Sequence, residues 1–399
     1  MSAQFEIKGR CPGALSPMAS ADGLVVRVRP SAGVLQTHQA LALADVAQRF
    51  GDGQVELTSR ANVQLRGISE ADHAAVVDAL RAVKLVDPDA RSETRRNIVV
   101  SPFGSGTVRT QALSVVRALE RALAEIDGLP AKFGFAVDIG QERCLDGTSA
   151  DVRIERDHVG RVLVRPDGLA QGFIIGGPDE QTSDVAQSVA RQAVSLARWF
   201  LAAGGVQNGR GRMASFIATG AYPPGLHDVE LAAKARLARP GSTPDGRLVA
   251  AEFGQLPGKT FAALSMACAE LRMTPWRMLH LVGPVRKTGL PNCPSLIFAP
   301  DDARLRVTAC SGAPSCSQGF ADTRSLARQL APSVPADEHL HVSGCSKGCA
   351  RQAPAATTLV ADEAGFKIVK DGNARSRPKK SAVQTDALLS DPELIFSDR

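Results

Sequence analysis

Two cysteine pairs, Cys310-x5-Cys316 and Cys345-x3-Cys349, fall in the last quarter of this 399-residue chain. If the four sulfurs act as one set, any fold must bring two distant loops together. The segments read TACSGAPSCSQGF and HVSGCSKGCARQ. Four thiolates match the ligand count of a four-iron cluster, and small residues let backbone N–H groups approach anionic sulfur. Zinc also takes four thiolates, but structural zinc pairs usually sit closer, as Cys-x2-4-Cys, and the x5 and x3 spacings together fit that poorly. Disulfides are a third, weaker reading, because nothing else points to an oxidising compartment. Cys11, Cys144, Cys268 and Cys293 are scattered without a framework and read as ordinary thiols, Cys268 as a core residue.

A chain of this length buries two or three ordinary cores. Its formal charge is +6, with arginines spread along it and only two Trp and one Tyr. That composition speaks against a nucleic-acid binder and suits an anionic small molecule held by a few placed arginines. The opening MSAQFEIKGR has no apolar stretch of signal-peptide length, and no run is long enough to span a bilayer. The expectations are a cytoplasmic protein, no membrane, no nucleic acid and a monomer.

An internal duplication is visible. Leu57–Gly67 aligns without gaps against Met273–Gly283, with Thr58/Thr274, Leu65/Leu281 and Gly67/Gly283 identical. Leu43, Val46, Ala47 and Phe50 recur at helical spacing before the first copy; Phe261, Leu264, Cys268 and Leu271 do so before the second. Each copy reads as helix, turn, strand. In the first strand Arg60, Asn62, Gln64 and Arg66 alternate onto one face. Such a face is the wet side of an ordinary strand or a row of forks and amides for carboxylates.

Further on come a strand at Ile98–Val100 after Arg96-Asn97, a helix over 108–125, strands near 151–155 and 161–165, and a helix over 184–202. Gly209-Arg-Gly-Arg212 reads as a flexible connection. Strands at Leu305–Val307 and Leu340–Val342 lead into the cysteine pairs, and Thr357–Val360 continues beyond. The expected units are 10–80, 85–205, 206–295 and 296–370, followed by a polar tail, 371–399. In that tail Arg375-Ser-Arg-Pro-Lys-Lys380 is a solvated basic stretch and Leu388–Phe396 is available to dock.

Taken in order, Cys11-Pro-Gly-Ala-Leu-Ser-Pro-Met18, Thr58–Gly67, Arg96-Asn97, Leu129-Pro-Ala-Lys132-Phe, Thr274-Pro-Trp and both cysteine pairs resemble the sulfite/nitrite reductase superfamily. Within it they resemble the branch that hydroxylates a tetrapyrrole in aerobic cobalamin synthesis. The resemblance runs over roughly 10–365 and implies an α+β / α/β fold, with a duplicated ferredoxin-like repeat domain packed against two α/β domains. It implies that Cys310, Cys316, Cys345 and Cys349 ligate a 4Fe–4S cluster. Arg60, Arg96 and Lys132 fall where the reductases hold tetrapyrrole carboxylates or the anion at haem iron, and Asn62, Gln64 and Arg66 extend that row as substrate-binding residues.

One departure stands out. Sulfite reductases have a second lysine two positions after the one matching Lys132, and here that position is Gly134. Losing a charged hydrogen bond removes about 1.5–3 kcal/mol from an oxyanion site, which weakens a sulfite-reducing reading. The hydroxylase resemblance makes the tetrapyrrole a substrate, precorrin-3A. Dioxygen is then activated at a mononuclear non-haem iron, with electrons from NADH or a reductase electron donor passing through the cluster. The alternative is a sirohaem-dependent nitrite or sulfite reductase, with Cys349 bridging cluster and haem. A non-catalytic electron-transfer protein is a third reading, against which the Arg60–Arg66 face speaks. Iron oxygenases often use two histidines and a carboxylate, but His280, His339 and His341 each have structural readings, so catalytic ligands stay unassigned. No Gly-x-Gly-x-x-Gly follows a strand, so direct NADH binding lacks a motif.

Overall fold

The computed structural model describes residues 12–177 and 182–396; Cys11 lies outside them. Four sheets organise these residues. The first sheet orders its strands Met18–Ser20, Gly23–Val28, Val63–Ile68, Gln54–Leu57 and Gln255–Pro257. The second orders Gly241–Thr243, Gly246–Ala251, Met278–Val282, Glu270–Met273 and Val34–Leu35. The two are built alike and exchange one strand each. Gln255–Pro257, from the second copy, pairs antiparallel with Gln54–Leu57, while Val34–Leu35, from the first, pairs with Glu270–Met273.

The repeat recurs in backbone detail. Ala61 and Arg277 share the left-handed conformation (φ 54° and 59°), as do Gly67 and Gly283 (φ 75° and 116°). The Thr58 hydroxyl accepts from Arg60 N and Asn62 N at 3.3 and 3.1 Å, and that of Thr274 accepts from Trp276 N and Met278 N, both at 3.3 Å. The shared threonine therefore supplies the acceptor that closes the turn in each copy. Helices Thr37–Phe50 and Gly258–Met266 pack against each other behind the sheets. The first has an apolar face at Leu43, Val46 and Ala47 and a capping box between Gln36 and Gln39. The second is shorter than its pattern predicts: it stops at Met266, and Leu271 lies in the strand Glu270–Met273.

The third, central sheet orders Phe173–Gly176, Val162–Pro166, Val152–Arg156, Phe135–Asp138 and Ile98–Val100, the last three mutually parallel. Helices Gly106–Leu123 and Thr182–Ala202 cover it around a core that includes Phe133, Phe135 and Phe200. Each such side chain contributes about 1.5–3 kcal/mol by leaving water. The fourth, cluster sheet orders Val307–Ala309, Leu340–Ser343, Ala355–Asp362, Gly365–Gly372 and Lys380–Val383, again with its first three strands parallel. Its first strand starts later than the sequence predicts, because Ala303–Arg306 forms a 3-10 turn and only Val307 onward is extended.

The residues from 371 onward fold onto the cluster sheet. Lys380–Val383 is its edge strand, and Leu388 and Ile395 are fully buried in its core. Among the described residues no helix is long and apolar enough to cross a membrane.

Candidate functional site

Both cysteine pairs lie in loops at the C-terminal ends of parallel strands, where α/β sheets commonly place ligand sites. Cys310 directly follows Val307–Ala309, and Cys345 follows Leu340–Ser343 by one residue. The loops interlock through glycines. A Cβ on Gly344 would lie 3.2 Å from Gly312 Cα, 3.4 Å from Gly319 Cα and 3.5 Å from Cys310 Sγ. Gly344 N donates to Cys310 Sγ at 3.2 Å, so one pair's loop already solvates the other pair's sulfur.

Burial holds the Cys345 and Cys349 thiols above their usual pKa, and charge on the other cluster cysteines raises them further, while Lys347 opposes. Arg277 sits between the loops: it donates to Ala350 O at 3.2 Å and feels the charge of Cys310. Among the described residues no three His, Cys, Asp or Glu side chains converge to hold a single metal ion. Corner ligands of a four-iron cube stand apart from one another, each on its own iron, whereas a tetrahedral ion needs them to converge. The donor set, glycine cradle and neighbouring cation therefore fit a cluster.

The alternating row divides. Only Gln64 and Arg66 lie in the strand Val63–Ile68; Arg60 and Asn62 belong to the turn before it. Gln64 accepts from Arg27 at 2.7 Å and donates to Glu56 at 2.7 Å, and Glu56 in turn accepts from Arg324 of the cluster domain at 2.7 Å. Arg66 grips Asp22 through two nitrogens (2.9 and 3.1 Å) and donates to Ser20 Oγ and Ser315 O, both at 2.9 Å. Its fork is thus committed to an ion pair and to the first cysteine loop. Arg96 is committed as well, to both oxygens of Asp87 (2.8 and 2.9 Å) and to Arg29 O.

Arg60, Asn62 and Lys132 come together. Arg60 donates to Lys132 O at 3.2 Å, and Arg60, Asn62, Asn97, Ile98, Val99 and Ser149 line a small hollow. Lys132 is exposed beside it. Gly134 completes the arrangement: a Cβ there would lie 3.2 Å from Asn97 O and 3.7 Å from Arg60 Nη1. Asp151 fixes this backbone, accepting from Gly134 N at 2.9 Å while its other oxygen accepts from Arg212 Nε and Met213 N. The Gly209–Arg212 connection is therefore anchored, with Arg212 a positioning residue behind the hollow.

Of the histidines, His280 is buried between Pro102 O (3.0 Å) and Thr243 Oγ1 (2.9 Å), and His339 contacts Thr308 Oγ1 at 2.7 Å. Both ring nitrogens of buried His341 lack a hydrogen-bond partner among the described residues. Burial, with Arg351 adding to it, pushes the His339 and His341 imidazoles down to about 4.

Sequence reasoning missed Arg27, Glu56, Arg277 and Arg324, which tie the repeat domain to the cysteine loops. Arg277 had a signal: it occupies the left-handed position matching Ala61 in the duplication.

A family model, the nitrite/sulfite reductase ferredoxin-like half domain, matches residues 16–83. A precorrin-3B synthase from Sinorhizobium sp is 26% identical over 405 residues, covering 93% of this chain and 84% of that protein. A ferredoxin–nitrite reductase from Synechococcus elongatus is 30% identical over 138 residues, 32% of this chain and 27% of that protein. Among solved structures, the NirA protein of Mycobacterium tuberculosis superposes with a TM-score of 0.53 at 18% identity, covering 93% of this chain and 79% of that one. The resemblance to the sulfite/nitrite reductase superfamily thus holds in sequence and in fold.

Proposed function

We propose that this protein converts precorrin-3A to precorrin-3B in aerobic cobalamin biosynthesis, hydroxylating C20 and closing the ring A acetate as a γ-lactone. One atom of dioxygen enters the macrocycle and the other leaves as water, which takes two electrons and two protons. The observation that carries this reading is the span of the likeness: the synthase matches along 93% of the chain, the nitrite reductase along 32%.

The hollow supports it. Gly134 leaves Arg60 and Lys132 as the cations there, a set suited to carboxylates and short of the second lysine that sulfite reductases have, which counts against sulfite reduction and not against nitrite reduction. Cys310, Cys316, Cys345 and Cys349 would hold the four-iron cluster, which supplies single electrons when bound. Arg60 and Lys132 would orient the macrocycle through its carboxylates, with Asn62 and Asn97 at the floor. Arg66 and Arg277 would keep the cysteine loops against the repeat domain.

Sirohaem-dependent nitrite or sulfite reduction is the second reading, favoured by the half-domain match and the NirA-like fold. Absorption spectra of protein purified without oxygen, with iron and acid-labile sulfide assayed on the same sample, separate the two. A broad cluster spectrum followed by oxygen uptake on adding precorrin-3A is the expected result. Intense Soret-type bands with nitrite turnover would overturn it.

A further inference from the structure

Arg277 stands where the duplication departs from itself. Its backbone is left-handed (φ 59°), a conformation that a long side chain adopts only where its surroundings impose it, and the first copy has Ala61 there. The likeness of the copies extends to the turns before the exchanged strands: Ala32 and Gly33 (φ 52° and 69°) match Phe253 and Gly254 (φ 52° and 78°). A Cβ built on Gly33 would meet Met273 O at 3.5 Å. On Gly254 it would lie 2.9 Å from Arg277 Cδ and 3.1 Å from its Cγ. The bare backbone of Gly254 is thus the wall along which the Arg277 stem runs.

At the end of that stem are both cysteine loops. Arg277 Nη2 donates at 3.2 Å to the carbonyl of Ala350, the residue after Cys349. Cys310, on the other loop, is close enough for its charge to act on the guanidinium. Burial and the like charge of Arg324 press the Arg277 pKa down, while Glu56 and Cys310 hold it up. A guanidinium stays protonated under such opposed pulls. Lys347 also acts on Cys345 and Cys349, but it belongs to their own loop. Arg277 reaches the sulfurs from the repeat domain.

From this geometry we infer that Arg277 sets the reduction potential of the cluster by stabilising its reduced form. The inference deepens the proposed function and rests on one part of it, that the four cysteines hold a four-iron cluster. Four thiolates make such a cluster anionic, and reduction adds one more negative charge. One electron enters from a low-potential one-electron donor; no bond forms or breaks. A cation fixed beside the sulfurs therefore favours the reduced form over the oxidised one, because net charge is one of the terms that set a cluster's potential. Salt screens a partly buried charge of this kind only weakly. In this role Arg277 is a positioning residue that acts through the cluster. Glu56, which accepts from Arg324 and Gln64 (both 2.7 Å), acts on the same guanidinium with the opposite sign.

The test uses the full chain, purified without oxygen and assayed for iron and acid-labile sulfide. It is titrated with dithionite in the presence of mediators, and the midpoint is read from the EPR signal of the reduced cluster. Arg277→Gln should shift the ratio of reduced to oxidised cluster at a fixed potential about tenfold or more toward the oxidised form, a midpoint lower by about 59 mV or more. Arg277→Lys, which keeps the charge, should recover most of that shift. Glu56→Gln should move the midpoint the other way, by about two- to fivefold in the same ratio. Loosened loops alone would move both charge-removing variants in one direction.

A midpoint for Arg277→Gln equal to the parent's would overturn the inference, as would an Arg277→Lys midpoint as low as that of Arg277→Gln, or shifts of one sign for Arg277→Gln and Glu56→Gln. If Arg277→Gln fails to hold a cluster, Glu56→Gln decides: a raised midpoint supports the inference and an unchanged one overturns it. Parent protein without iron and sulfide would overturn the cluster reading and this inference together. Precorrin-3A turnover does not enter the assay, so a bound cluster with unmoved midpoints sinks the inference alone and leaves the hydroxylase reading standing.

Discussion

The central and cluster sheets have the same design. In each, three parallel strands lead into two antiparallel ones, and one helix follows the first strand. Their registers agree: Ile98 pairs with Phe135 and Phe135 with Val152, as Val307 pairs with Leu340 and Leu340 with Thr357. Ser101 therefore corresponds to Cys310 and Asp138 to Ser343, and at the same spacing Gly140 corresponds to Cys345 and Cys144 to Cys349. In the central sheet the Ser101 hydroxyl stands 3.1 Å from the Cys144 sulfur, which donates to Asp138 at 3.4 Å.

The difference lies in the loop after the first strand. The central sheet runs from Val100 almost directly into the long helix Gly106–Leu123, which fills its core. The cluster sheet inserts the glycine-rich loop that carries Cys316 and follows it with the short helix Thr323–Leu330. One framework thus serves as a packed support in one half and as a sulfur cradle in the other. What separates them is loop length and three side chains.

The largest expected effect tests that correspondence directly. Cys349→Ser should cost most of the protein's iron and acid-labile sulfide and its activity, while Cys144→Ser, at the corresponding position, should leave iron content at the parent's level. Loss of iron from both would mean that the central sheet's thiol is also a ligand.

The next effect concerns how each sheet is attached. Arg272, buried in the second sheet, donates to Pro102 O and Gly104 O of the central loop (2.8 and 3.0 Å) and is paired with Asp245 and Glu270. Arg272→Ala should destabilise the fold by about 1.5–3 kcal/mol in denaturant unfolding, because it strips the half-buried Asp245 and Glu270 and two loop carbonyls of a charged donor, without lowering iron content. Arg66→Ala, which frees Ser315 of the cysteine loop, should speed iron loss to a chelator.

Leu388→Ala should cost about 2–4 kcal/mol by opening a cavity in the cluster sheet's core. An unchanged unfolding midpoint would mean that the C-terminal residues contribute nothing to that sheet.

The smallest effect is a pair of opposed pH slopes. Burial, with the charge of Glu155 adding to it, pushes the Asp138 carboxyl up to about 6 from its ordinary 3.8, against hydrogen bonds from Leu145 and Cys144. The folded state therefore keeps a proton that the unfolded chain has released, and stability falls as pH rises from about 4 to about 6. Asp138→Asn should remove that slope. His341 works the other way. Its folded value of about 4 lies below the ordinary 6.5, so stability is full above 6.5 and falls as pH drops toward 4. His341→Asn should flatten that fall, as read from urea midpoints across the range.

The ferredoxin-like repeat was legible because its turn needs particular residues: a threonine acceptor and a glycine at positive φ survive in both copies. The likeness of the two α/β sheets was not legible, because a parallel strand asks only for apolar residues and Ile98–Val100 and Val307–Ala309 share no pattern beyond that. The cysteine pairs stood out by their spacing, and the fold sets their two loops against each other. The polar row did not announce its division, since whether Arg66 or Arg60 is committed depends on Asp22 and Ser315, which the strand's own sequence does not reveal. The helical pattern ending at Leu271 misled because an apolar residue suits a helix face and a buried strand equally well. In the C-terminal residues the apolar Leu388–Phe396 was legible as a segment able to dock, and Leu388 and Ile395 do so, whereas the edge strand Lys380–Val383 was hidden by its polar composition.

The exchanged strands Val34–Leu35 and Gln255–Pro257 have a consequence for how this chain can be divided. A cut between residues 205 and 240 would give two pieces, each with a gap in its own sheet and a spare strand that fits the other's gap. Neither piece could complete itself, and each would be the other's template. The two halves of the molecule are thus clasped at fixed register, and the hollow around Arg60 and the cysteine loops keep their relative placement through hydrogen bonds that belong to both halves at once.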